Sequence, residues 1–185
     1  MRLFVAVNLP DSTRQAAHAA TAALRESAPS VRWVLPETLH ITLKFLGEVA
    51  DARFAEMQAG LEMSAAASSG FTFALRGAGA FPNFRRPRVF WIGVENGKGV
   101  EDVQSSVERV FEPLGFPAEA RDFHAHLTLG RAGAPLTAAE LAQAERAARA
   151  LEYHEVVTVR SIELMRSRLS PKGARYEVAH SAKLG

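Results

Sequence analysis

The chain has 185 residues, 48% of them hydrophobic and 23% charged, and a net charge of only +2. That length suits one domain or two small lobes sharing a core, and the charge is too low for a polycation that coats nucleic acid indiscriminately. Cysteine is absent, which excludes disulfides, thiolate nucleophiles and thiolate metal sites.

Residues 2–8 read as a strand ending at the Asn8-Leu9-Pro10 turn. This apolar run is too short for a signal peptide, and no run approaches a membrane span, so the expected address is the cytoplasm. Ser12-Thr13-Arg14-Gln15 fits a capping box opening a helix, with Ala16, Ala20, Ala23 and Leu24 on its inner face and Ala28-Pro29-Ser30 closing it. A short strand follows over 31–34, then a turn at Pro36-Glu37. The next strand, 39–46, alternates Leu39, Ile41, Leu43 and Phe45 with His40, Thr42 and Lys44, and stops at Gly47. Residues 51–67 carry the helical period in Phe54, Met57, Leu61 and Met63.

Residues 71–75 start another strand, and Gly77, Gly79, Pro82 and Pro87 bracket an irregular loop. Within it, residues 81–87 interleave Phe84 with Arg85 and Arg86, a combination that suits a nucleobase and its phosphate. A surface loop with an aromatic tucked into the core is the alternative. A strand over 88–95 and a helix over 98–114 come next, the helix with Val103, Val107, Val110 and Phe111 in its stripe; Gly115-Phe116-Pro117 breaks it. Residues 125–131 form a strand, Thr137-Ala138-Ala139-Glu140 caps a helix to about 151, 154–166 read as one long strand, Pro171-Lys172-Gly173 as a turn and 175–180 as the last strand. The mixture is α+β with antiparallel pairing through short connections. Arginine supplies 18 of the 22 basic residues. Arg85, Arg86 and Arg88 make one cluster; Arg166, Arg168, Lys172 and Arg175 make another.

One stretch is written twice. His40-Ile41-Thr42-Leu43 returns as His126-Leu127-Thr128-Leu129, 86 positions later, and Arg2-Leu3-Phe4-Val5 returns as Arg88-Val89-Phe90-Trp91 at the same offset. On a strand the histidine and threonine of each copy share one face, roughly 7 Å apart. Two such strands about a pseudo-twofold axis set two imidazoles across a cleft, where one takes a proton while the other gives one. The boundary between the halves falls near Pro82 to Pro87.

These paired H-x-T motifs resemble those of the two-histidine (2H) phosphoesterase superfamily. Leu39, Phe45-Leu46-Gly47, Phe123-His124, Arg131, Pro87-Arg88-Val89-Phe90-Trp91 and Arg2-Leu3-Phe4 narrow the resemblance to the RNA 2′,3′-cyclic phosphodiesterases, also called 2′-5′ RNA ligases. It covers essentially the whole chain; Ala125 stands where many relatives have proline. The resemblance implies a single domain over 1–185, with two pseudo-twofold-related lobes, each an antiparallel sheet with helices packed outside, and a central cleft between them. It implies hydrolysis of a 2′,3′-cyclic phosphate RNA end, or of a small cyclic nucleotide, to a 2′-phosphomonoester. Reversible ATP-independent 2′-5′ ligation is implied too, with no metal and no cofactor. By the same resemblance His40 is the proton donor and His126 the proton acceptor.

Thr42 and Thr128 are then expected to donate to the phosphate oxygens. Arg131 is a candidate supporting residue, with a strand-end salt bridge as its alternative. Tyr176 and Ser167 fall where the family has such residues, either lining the cleft or packing. His124 is expected at the rim, and His18, His154 and His180 at the surface. A monomer is the default. Two rivals stay open: a metal-dependent hydrolase using His40, His124 and His126 as three ligands, and a protein that binds RNA ends without catalysis.

Overall fold

The computed structural model describes residues 1–170 and 173–185. In chain order its elements are β1 (Arg2–Asn8), α1 (Asp11–Ala20), α2 (Ala22–Ser27), β2 (Arg32–Trp33), β3 (His40–Glu48), α3 (Phe54–Ala66), β4 (Phe71–Phe81), β5 (Val89–Glu95), α4 (Lys98–Phe111), β6 (His126–Arg131), α5 (Ala138–Arg149), β7 (His154–Val159), β8 (Ser161–Ser170) and β9 (Gly173–Lys183). The class is α+β. One antiparallel sheet runs β3-β1-β8-β9 and the other β2-β6-β5-β4-β7.

The sequence repeat survives as a repeated strand pair. In β1–β3, Asn8 lies opposite His40 and Ala6 opposite Thr42; in β5–β6, Gly93 lies opposite His126 and Trp91 opposite Thr128. Both pairs carry a bulge at the same place. Leu43 falls between the partners of Val5 and Ala6, and Leu129 between the partners of Phe90 and Trp91. An extra residue reverses which side chains face inward beyond it. The alternation expected through Phe45 is therefore corrected: Lys44 is buried and Phe45 is 64% exposed.

Other expectations also shift. The first helix starts at Asp11 behind Pro10, with no side-chain cap, and breaks at Thr21. Proline already fixes the backbone there, so Ser12 lies inside the first turn. The inner face is Thr13, Ala17 and Leu24, while Ala16, Ala20 and Ala23 are exposed. The predicted box at Thr137 and Glu140 does form on α5. Strand β4 runs on to Phe81 through a bulge at Gly77, whose φ of 64° suits glycine. Residues 154–166 are two strands in different sheets, separated at Arg160. Pro171 and Lys172 of the expected turn lie outside the described residues. The last strand is longer than 175–180.

The halves of the sequence are not the two sheets. β2 and β4 precede residue 82 yet pair with β6 and β5, and β8 and β9 complete the first sheet. The segment from Pro82 to Pro87 separates the copies along the chain but divides no lobe from another. Leu3, Val5, Ile41 and Leu43 of the first sheet share one apolar cluster with Phe73, Phe90, Ile92 and Leu127 of the second. Each such side chain stabilises the fold by about 1.5–3 kcal/mol on full burial.

Helix α3 packs on β8 and β9, α4 on β3 and β4, and α5 on β4 and α2. Val103, Val107 and Phe111 of α4 are buried as the period predicts, with Val100 in place of the half-buried Val110. On α3 Met57 and Leu61 are buried, but Met63 is exposed. Among the described residues no helix is long and apolar enough to cross a membrane.

Candidate active site

Strands β3 and β6 lie beside each other, which brings the two motifs to one cleft. The imidazoles are held alike. His40 Nδ1 is 2.7 Å from the Thr38 carbonyl, and His126 Nδ1 is 2.7 Å from the His124 carbonyl. A carbonyl can only accept, so Nδ1 carries the hydrogen and the neutral ring keeps its lone pair on Nε2. In the first copy that Nε2 is 3.1 Å from Thr42 Oγ1. No equivalent bond joins His126 to Thr128 among the described residues.

Aromatic rings fix the imidazoles from the side. Phe4 and Tyr176 lie 4.9 Å and 5.2 Å from the His40 ring, Tyr176 edge-on. Phe81 meets His126 edge-on at 5.1 Å and is itself packed on Trp91 at 5.1 Å. Gly79 makes room for that indole, since a Cβ there would fall 2.2 Å from it. This packing removes water, and burial is the main cause holding both imidazoles below their ordinary pKa. The carbonyl clamps pull the other way, and Arg131 adds a further downward push on both rings. One guanidinium thus stands within electrostatic reach of both histidines.

The cleft is open and its lining includes Thr42, Phe45, Phe81, His126, Thr128 and Arg131. His40 sits one step behind it, reaching the lining through Thr42. Of the residues singled out from sequence, His40, Thr42, His126, Thr128 and Arg131 come together here. Arg131 makes no salt bridge among the described residues. His124 lines the cleft and contributes its carbonyl as well as its ring. Among the described residues no three His, Asp or Glu side chains converge as metal ligands, so the His40, His124 and His126 set is not assembled.

The arginine loop divides. Phe84 packs on the core at 6.3 Å from Phe90, while Arg85 and Arg86 are exposed along the cleft. Arg166 and Arg168 face Glu177 at 3.6 Å and 3.1 Å instead, and Lys172 of that cluster lies outside the described residues. Tyr176 packs on His40 from β9, and Ser167 stands opposite it on β8. His154 is exposed, His18 is half-buried, and His180 bonds Glu62 at 2.7 Å.

Sequence reasoning missed the aromatic frame of Phe4, Phe81 and Trp91, because a motif records neighbours along a strand and not across it. It also missed Lys44. Its buried ammonium donates to Glu108 of α4 and, at 2.9 Å, to the Pro117 carbonyl, tying β3 to the segment that leads into β6.

Two His-x-Thr strands, clamped alike and opening on one cleft, are the framework of a two-histidine phosphoesterase. The chain belongs to the 2′-5′ RNA ligase superfamily, whose family model matches residues 9–170. It is 35% identical to the RNA 2′,3′-cyclic phosphodiesterase of Methanothermobacter thermautotrophicus, over 95% of each chain. With the enzyme of the same name from Archaeoglobus fulgidus the identity is 38%, over 96% of this chain and 97% of the relative. Among solved structures, TT0787 of Thermus thermophilus superposes with a TM-score of 0.78 at 29% identity, over 100% and 98% of the two chains. LigT of E. coli complexed with 3′-AMP gives 0.76 at 25% identity, over 99% and 97%.

Proposed function

We propose that the chain is a cyclic phosphodiesterase that opens the 2′,3′-cyclic phosphate at an RNA end to a 2′-phosphomonoester. The observation that carries this reading is the matched pair of clamped imidazoles, His126 on the cleft and His40 directly behind it at Thr42, with Thr128 and Arg131 on the same lining. His126 is the base: its Nε2 takes a proton from water as the water oxygen bonds to phosphorus. His40 is the acid: as the bond from phosphorus to the ribose 3′ oxygen breaks, its Nε2 gives that oxygen a proton. Among the described residues the Nε2 of His126 has no hydrogen-bond partner and the ring lines the open cleft, which supports the assignment. Thr42, Thr128 and Arg131 hold the non-bridging oxygens, where charge builds in the transition state.

With an RNA 5′ hydroxyl in place of water, the same step with the same roles forms a 2′-5′ linkage without ATP; in the reverse reaction the 3′ oxygen attacks, the 5′ oxygen leaves and the two imidazoles exchange roles. The chemistry is complete in proton transfers, so the reaction is metal-independent. The shared core supports a single domain over 1–185. On this reading it acts as a monomer in the cytoplasm on RNA ends or small cyclic nucleotides.

The test is incubation with a nucleoside 2′,3′-cyclic phosphate in excess EDTA, with the product isomer identified. Full turnover to the 2′-phosphomonoester is expected. Binding without turnover favours the RNA-end binder, loss of activity in EDTA favours a metal enzyme, and a 3′-phosphate product reverses the bond assigned to His40.

A further inference from the structure

The cleft has two unlike walls beyond the imidazoles. On the side of the first sheet stands Phe45, turned outward by the bulge at Leu43 and packed 6.0 Å from Phe4. On the side of the second sheet stand Arg85, Arg86 and Arg88, all exposed. Their backbone is fixed. Asn83 Oδ1 accepts from the Arg85 N–H at 2.9 Å and the Arg86 N–H at 3.2 Å. The Arg88 N–H donates to the Phe81 carbonyl at 2.7 Å, and the Arg88 carbonyl accepts from Ala132 at 3.0 Å.

Among the described residues none of these three guanidiniums has an ion-pair or hydrogen-bond partner. The acidic groups on the same lining are largely spent: Glu108 on Lys44, and Glu119 on Arg121 at 3.6 Å. Of the acidic residues on that lining, only Asp122 has no cation partner among the described residues. Three arginines on an anchored loop edge therefore form a surplus of positive charge that nothing within the described protein neutralises. A single cyclic phosphate is served by the histidines, threonines and Arg131, and leaves this wall with nothing to bind.

We infer that Arg85, Arg86 and Arg88 bind the phosphates on the 5′ side of the cyclic end, so that the enzyme selects RNA chain ends over free cyclic mononucleotides. Guanidinium forks match phosphate oxygens, and a chain laid along that wall turns its bases toward Phe45. The inference rests on the cyclic phosphodiesterase reading above.

The test compares kcat/KM for a nucleoside 2′,3′-cyclic phosphate with that for a tetranucleotide bearing the same end, in the wild type and in the Arg85→Ala/Arg86→Ala double variant. The wild type favours the tetranucleotide, and the variant loses most of that preference. Two single-strand phosphate contacts at ~0.7 each on the log–log salt scale make the wild-type preference shrink roughly sevenfold more than the variant's between about 50 and 200 mM salt. An equal preference in both proteins overturns the inference, and so does an equal loss on both substrates, which places the arginines at the reacting phosphate. If neither substrate turns over, the enzymatic reading fails. Binding of a labelled tetranucleotide with a 3′-phosphate still decides the arginine wall by the same difference in salt slope.

Discussion

His40 and His126 direct the same ring nitrogen to the same kind of acceptor, a backbone carbonyl two residues upstream, at 2.7 Å in each case. The two carbonyls, of Thr38 and His124, are themselves 86 positions apart. What the repeat preserves is a ring orientation and a tautomer, and these make the two Nε2 atoms interchangeable as acid and base.

The pH profile follows from the burial of those rings. The working free enzyme needs His126 neutral and His40 charged, so kcat/KM rises as the base loses its proton and falls as the acid loses its own. Both pKa values are pushed below 6.5, so the bell of kcat/KM is centred below pH 6.5. A bound phosphate anion favours the imidazolium, which moves the bell of kcat to higher pH than that of kcat/KM. Initial rates across pH check both statements, and a kcat/KM maximum above 6.5 contradicts the first.

The threonines are expected to cost less than the histidines but not equally in kind. Thr42→Val and Thr128→Val each remove about 2–4 kcal/mol of transition-state stabilisation, the scale of one oxyanion donor. Of the two, only the Thr42 hydroxyl contacts an imidazole among the described residues, that of His40 at 3.1 Å. Thr42→Val therefore also displaces the alkaline limb of the pH profile, and Thr128→Val leaves that limb in place.

Lys44 tests the packing behind the site. Its side chain is 4% exposed and that of its partner Glu108 16%. Lys44→Met leaves a largely buried carboxylate unpaired, and costs about 3–5 kcal/mol in denaturant unfolding. A loss below about 1 kcal/mol shows that water reaches the carboxylate and that the pair does not hold β3 to the segment after α4.

Much of the site was legible because it is local. A period of two places histidine and threonine on one face, and duplication supplies the second copy. Lys44 and Phe45 were misplaced because the bulge at Leu43 leaves no mark in a single strand; it exists only relative to β1. The division of 154–166 did have a signal, since the buried positions run Val157, Val159 and then Ile162, Leu164, slipping by one residue at Arg160. Crossings such as β2 onto β6 depend on contacts far apart along the chain, which periodicity does not encode. The aromatic frame around the rings belongs to the same class.

The most direct measurement is turnover of a nucleoside 2′,3′-cyclic phosphate by His40→Ala and His126→Ala, with the thermal unfolding of each variant recorded alongside. Removing either half of a proton-transfer pair is predicted to lower kcat by about 10²–10⁴-fold while the fold is retained. Turnover near the wild-type rate in either variant contradicts a mechanism in which both imidazoles act on one phosphorus.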